Sequence, residues 1–255
     1  WTIFPIYWMI KSSLTVNEEM YVARPPLFSN VITFDHYIDL IYNTSFMHNV
    51  WNSFVIAAIT TIICLAIGIL GSYAMTRLKY PGRSFFRNSI IISYLMPTAV
   101  LFVPMYVFVS SLGFYDNKYA LLIIYPTFVV PNCCYMLISY FKAIPYALEE
   151  AALIDGCNRL QTLWYIIMPI ALPGIAVVAT FAFTMAWNEY LYAMIMTTSN
   201  VQKTATVAIS GFKYADSAIW GRIMSASVVC SLPVTLLYIV AQSMLISGKY
   251  EGSVK

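Results

Sequence analysis

An all-α bundle of membrane-crossing helices is the fold class the sequence predicts, and three observations predict it. The 255 residues are 60% apolar and only 10% charged, and the mean hydropathy is +0.74, which does not describe a soluble domain. Apolar runs able to cross about 30 Å of hydrocarbon as helices of roughly 20 residues recur along the chain. The basic residues segregate between the loops on the two sides of those runs.

Taken in order, Trp1 to Leu14 is apolar and aromatic but too short to cross. It begins without Met and ends in Lys11, Ser12 and Ser13, so it reads as the tail of a span whose start is missing. A signal peptide would need a basic start and a small-residue cleavage site, and neither is visible. Complete spans are placed at 50–76, 85–112, 118–141, 170–197 and 223–247. The expectation is a single domain over 1–255, a bundle of six spans with the first truncated. Prolines 97, 104, 126, 131 and 233 fall inside these runs and break helical hydrogen bonds there, as hinges or as packing features.

Eight basic residues mark one face: Arg77, Lys79, Arg83, Arg87, Lys142, Arg159, Lys249 and Lys255. Six mark the other: Lys11, Arg24, Lys118, Lys203, Lys213 and Arg222. These are spread over longer loops and balanced by Glu18, Glu19, Asp35, Asp39, Asp116 and Asp216. By the positive-inside rule the first face is cytoplasmic, so 15–49 and 198–222 are outer loops and 145–168 is cytoplasmic. The net charge of +3 reflects this asymmetry beside anionic lipid and calls for no nucleic acid. Tyrosines near span ends, such as Tyr7, Tyr115 and Tyr140, read as interface anchors.

Enzyme signatures are absent. No phosphate-binding loop, H-E-x-x-H, G-x-S-x-G or dinucleotide fingerprint occurs, and Gly248-Lys249 is followed by Tyr250. Cys64, Cys133, Cys134, Cys157 and Cys230 lack metal-ligand spacing. His36 and His48 have no companion cluster and read as solvated or locally bonded, so no metal is expected. If ATP drives this protein, another chain binds it.

The cytoplasmic stretch carries the most information. Pro145 suits a first helical turn, and 146–154 are helix formers with Leu148, Ala151, Ala152 and Ile154 as one apolar face. Glu149 and Glu150 lie near the start, where the helix dipole favours negative charge. Asp155-Gly156 stops the helix. Asn158 with Gln161 forms a capping-box pattern opening a second short helix, with Leu160, Leu163, Trp164 and Ile167 at helical spacing, that ends before Pro169 and Pro173. The product is a pair of short helices able either to dock a facing protein or to rest on the inner leaflet. Glu189 is the one acidic residue inside a proposed span. With Trp187, Asn188 and Tyr190 it lines a polar solute path, fixes span five by hydrogen bonds, or is simply an interfacial residue.

Glu150-Ala151-Ala152, Asp155-Gly156, Ile167, Pro169 and Leu172-Pro173 resemble the E-A-A loop of ABC importer permeases, with Cys157 where that family has Ala. The resemblance extends along the chain and narrows to the smaller membrane subunit of maltose-type sugar importers. It is carried by Pro5, Trp8, Asn52-Ser53, Tyr80-Pro81-Gly82-Arg83, Pro97, Pro104, Leu112-Gly113, Pro131, Trp187-Asn188-Glu189-Tyr190, Pro233, Gln242 and Gly252 to Lys255. It implies a type I ABC importer permease in a bacterial or archaeal cytoplasmic membrane, without catalytic residues of its own. Its partners would be a second homologous permease subunit, two ATP-binding subunits holding ATP and Mg, and an extracytoplasmic solute-binding protein. The coupling residues so implied are Glu149, Glu150, Ala151, Ala152, Asp155 and Gly156, and Thr204 to Ala218 would approach the delivery protein. An ion-gradient-driven carrier is the alternative, with only Glu189 to support it. A membrane-embedded enzyme would need a catalytic set that the spans lack.

Overall fold

The structure, a computed structural model, describes residues 1–22, 24–214, 217–218 and 220–251. Asp216 and Gly252 to Lys255, named above, lie outside the described residues.

Helix α1 (Phe4–Ser13) starts with Pro5 in its first turn, and α2 (Asn17–Met20) and α3 (Asp35–Tyr42) follow in the long loop. Helix α4 (Phe46–Arg77) has 32 residues and is therefore about 48 Å long at the helical rise. Next come α5 (Arg83–Leu95), a 3-10 turn at Thr98–Leu101 and α6 (Phe102–Ser111). A 3-10 turn at Lys118–Ala120 leads into α7 (Leu121–Ile124) and α8 (Pro126–Ala143). Helix α9 (Tyr146–Ile154) and α10 (Arg159–Thr162) form the hairpin. A π turn, Leu163–Ile167, joins α10 to α11 (Met168–Trp187). Then follow α12 (Leu191–Met196), α13 (Ala205–Ser210), a two-residue ribbon of β1 (Lys213–Tyr214) against β2 (Ser217–Ala218), and α14 (Trp220–Glu251).

Among the described residues three helices are long and apolar enough to cross a membrane unbroken: Phe46–Arg77, Arg159–Trp187 and Trp220–Ser243. The other two expected spans are bent. Span three turns by 94° between Leu95 and Thr98, because Pro97 forces Met96 out of the helical region, to ψ 131°. Span four bends by 43° at Pro126, where no N–H is available for the preceding turn. Pro131 and Pro233, by contrast, sit within continuous helices. Span five corrects the expected 170–197 at both ends. Its helix begins in the hairpin at Arg159 and stops at Trp187, and Leu191–Met196 is a separate helix.

Helix α4 is the central post, packed against α8 and α11. Gly174 lets α11 lie directly on α8, since a Cβ there would come within 2.6 Å of the Tyr140 ring. One apolar cluster, with Cys64, Leu137, Phe141, Leu163 and Ile167, fills the end near the basic loops. A second, with Ile56, Tyr125, Trp187, Tyr192 and Met196, fills the opposite end. Large apolar side chains such as Ile62, Leu70 and Ile239 point outward, as expected where lipid or another membrane subunit covers the surface.

Candidate functional site

The hairpin is built by local capping chemistry. Gly156 takes φ +92°, the left-handed conformation that a helix stop requires. The Cys157 N–H donates to the Ala152 carbonyl (2.9 Å) and the Gly156 N–H to the Leu153 carbonyl (3.2 Å). These are the paired bonds of a Schellman stop. Asn158 and Gln161 form the reciprocal capping box at 2.9 and 2.8 Å. Pro145 stands one residue earlier than expected, as the N-cap of α9.

The facing of α9 differs from the expected apolar stripe. Leu148, Ala151 and Ile154 point out, Ile154 with 86% of its surface exposed. Glu149 and Ala152 point in. The reason is a tertiary ion pair, which overrides local amphipathicity. The Arg77 guanidinium, fully buried, places Nε 2.7 Å from Glu149 Oε1. Its Nη2 donates to the Phe141 and Ile144 carbonyls at 2.5 and 2.6 Å, and the Tyr146 ring covers it with 4.1 Å to the centroid. The Arg77 to Glu149 contact is close but poorly angled for a hydrogen bond, which leaves it chiefly coulombic. Burial pushes the Glu149 carboxyl up from the usual glutamate value, with Arg77 and Arg159 pulling the other way. Glu149 is therefore not free to meet a partner. Glu150, Ala151, Asp155 and Gly156 are all exposed and form the outward part of the predicted coupling set.

Two further bonds tie the hairpin to α4. Tyr146 donates to the Thr76 carbonyl (2.9 Å) and Tyr73 to the Arg159 carbonyl (3.4 Å). In the second arm Leu163 and Ile167 are buried while Leu160 and Trp164 are exposed, so the expected single face is split in two. The arm also fails to end before Pro169. The π turn shifts the hydrogen-bond register so that the helix runs on through Pro169 and Pro173.

At the opposite end, Trp187 closes α11, and Asn188, Glu189 and Tyr190 occupy the break before α12. Trp187 is buried, stacks on Phe183 and donates Nε1–H to the Cys230 carbonyl (3.2 Å). Glu189 accepts from the Tyr125 hydroxyl (3.0 Å) and from the Tyr192 and Ala193 N–H groups (2.9 and 3.0 Å), so it caps α12. Asn188 and Tyr190 are the exposed members.

Sequence reasoning missed a clasp beside this break. Asn49 and Asn52, on the first turns of α4, donate to the carbonyls of Asn200, Val201 and Lys203 at 2.7 to 3.1 Å. Asp116 accepts from the Thr198 and Ser199 N–H groups, and these bonds hold its carboxyl below the usual aspartate value. Two buried asparagines one helical turn apart were the available signal. Thr204 and Ala205, in the region expected to meet a delivery protein, are buried against the bundle, with the Ala205 N–H donating to Ser53 Oγ (2.8 Å). Among the described residues no cluster of His, Cys, Asp or Glu is arranged to hold a metal ion.

A multi-pass helical bundle with a capped, surface-presented hairpin at one end is the architecture of an integral membrane protein. Residues 67–247 match the family described as the binding-protein-dependent transport system inner membrane component, and the chain belongs to that family. It is 36% identical over 257 residues to the inner membrane ABC transporter permease protein YcjP of Escherichia coli, covering 100% of this chain and 91% of the relative. It is 30% identical over 256 residues to the trehalose/maltose transport system permease protein MalG of Thermococcus litoralis, covering 99% and 91%. Trehalose transport system permease protein SugB of Mycobacterium tuberculosis is 29% identical, covering 100% and 93%. In fold the chain is similar to a subunit of a bacterial ABC transporter importing the acidic polysaccharide alginate, with TM-score 0.81, 22% identity, and 95% and 90% of the two chains covered. A chain of the methionine transporter MetNI aligns with TM-score 0.64, 17% identity, and 85% and 99% coverage. The expected type I importer permease fold is thus the observed one.

Proposed function

We propose that this chain is one of two homologous permease subunits of an ATP-driven importer of sugars, forming half of the translocation path. Its basic end faces the cytoplasm, and the 145–168 hairpin seats in two ATP-binding partners' assembly, one hairpin per subunit. A solute-binding protein delivers cargo at the opposite end. The observation that carries this reading is the hairpin: a Schellman stop and a capping box hold Glu150, Ala151 and Ile154 outward on a rigid support. An exposed Ile154, Leu160 and Trp164 give a facing protein apolar surface to cover, and Glu150 and Asp155 give it carboxylates to bond. Trehalose and maltose in the names of relatives support the sugar class. A carrier driven by an ion gradient would need a free intramembrane carboxylate, and the Glu189 oxygens are taken by three donors. Asn188 and Tyr190 are the members of the 187–190 set able to reach a passing sugar.

The test is uptake of labelled maltose or trehalose into proteoliposomes holding this chain, its second permease subunit, the ATP-binding subunits and the delivery protein. Uptake should require ATP and stop with vanadate. Gly156→Pro cannot adopt φ +92° and removes the N–H that closes the turn. It should leave membrane insertion intact and abolish both ATPase co-purification and uptake. Normal uptake by Gly156→Pro would sink the docking role.

A further inference from the structure

We infer that Arg77 is the positioning residue that relays motion of the hairpin into the bundle, so that a push on α9 reaches the far end of α4. This rests on the reading of the hairpin as the ATPase-docking element. One guanidinium, sealed from solvent, touches three bodies at once: the last turn of α4 that carries it, the Phe141 and Ile144 carbonyls closing α8, and Glu149 on α9. Nη2 serves both carbonyls while Nε faces the carboxylate, so two atoms of the planar guanidinium divide contacts that an ammonium would have to make from one.

The base of α4 is rigid around it. Arg83 donates to the Met75 and Thr76 carbonyls at 2.6 and 2.8 Å, and Tyr146 takes the Thr76 carbonyl as well. Within this knot α9 cannot shift without stretching the buried charge contact between Arg77 and Glu149, and that is costly. Displacement of α9 therefore moves α4 and α8 together. The other end of α4 holds the loop at 198–204 through Asn49 and Asn52, so the post has a fixed joint at one end and a clasp on the opposite surface at the other. Packing of α9 on the bundle needs no arginine for this; a well-fitted apolar pair would hold the same place. That difference separates relay from mere stability.

The experiment uses the complete complex in nanodiscs and reads hydrogen exchange in two windows, 145–162 and 198–204, without nucleotide and with ATP trapped by vanadate. In the unmodified complex trapping should protect the hairpin and change exchange at 198–204 on the order of tenfold, within the usual range for coupled sites. Replacing both partners, Arg77→Leu with Glu149→Leu, removes the charges together and is tolerated in buried pairs. That complex should keep its hairpin protection and lose the response at 198–204. Arg77→Lys, which keeps the charge and the fold but not the fork, should lose most of it. A full response at 198–204 in either variant overturns the inference while leaving the docking reading in place. Absence of any hairpin protection in the unmodified complex overturns the docking reading itself, and an unmodified complex whose hairpin is protected but whose 198–204 window never responds overturns the relay alone.

Discussion

Glu149, buried, and Glu189, half-buried, are carboxylates at opposite ends of the molecule, and they are satisfied by opposite means. Glu149 faces a single buried cation, Arg77. Glu189 is shared among a tyrosine hydroxyl and two backbone N–H groups. A charge answered by a charge is brittle, because removing either partner strands the other in a low-dielectric interior. A charge answered by several neutral donors is forgiving, because each donor supplies only part of the compensation. The basic end is therefore joined stiffly, and the opposite end is held by bonds that can be lost one at a time.

The sharpest way to break that contrast is truncation. Glu149→Ala should cost about 3–5 kcal/mol, the penalty for a buried charge left alone, seen as a lower unfolding midpoint in detergent. Glu149→Gln, which removes the charge that answers Arg77, should recover little of it. At the other end Glu189→Ala should cost less, about 1–3 kcal/mol for the donors left unpaired, and Glu189→Gln should be close to neutral by the same measurement. Equal losses at the two sites would erase the distinction.

The smallest effect is expected at Asp116, which sits in the left-handed region at φ 49°. Asn tolerates that conformation as well as Asp does, so Asp116→Asn isolates the charge. The folded carboxyl titrates below its ordinary value of 3.8 because the Ser199 and Thr198 N–H groups bond it, despite some cost of burial. A depressed acid stabilises the fold above its unfolded pKa and loses that contribution as pH falls through the folded value. Exchange protection at 198–199 should thus be flat at neutral pH, decline below the ordinary aspartate range in the unmodified chain, and lose that acid decline in Asp116→Asn.

What was legible in the residues follows from how far apart the deciding groups lie. Gly156 and the Asn158 to Gln161 box act over a few residues, so their turn could be read directly from the chain, as could the interruptions at Pro97 and Pro126. The angle of 94° at Pro97 could not, since packing of α5 and α6 on different neighbours sets it. Glu149 looked like a dipole-favoured residue facing outward. Its true orientation depends on Arg77, 72 positions earlier in the chain, which no local periodicity reports. Span five ran on too far because Leu191–Met196 is as apolar as the span itself, and hydropathy alone cannot see the carboxylate of Glu189 starting a new helix. Of the four candidate path residues, Trp187 and Glu189 are fastened by hydrogen bonds while Asn188 and Tyr190 face outward.

The π turn at Leu163–Ile167 has one more consequence. A π turn holds one residue more than an α turn covering the same arc, and here it carries the exposed Trp164 and lies between α10, with its exposed Leu160, and the membrane-crossing rod of α11. Deleting a single residue there would restore ordinary pitch and swing the tip of the hairpin about 100° around the axis. That five-residue stretch works as an angular key: it sets the compass bearing in which the tip points away from the bundle.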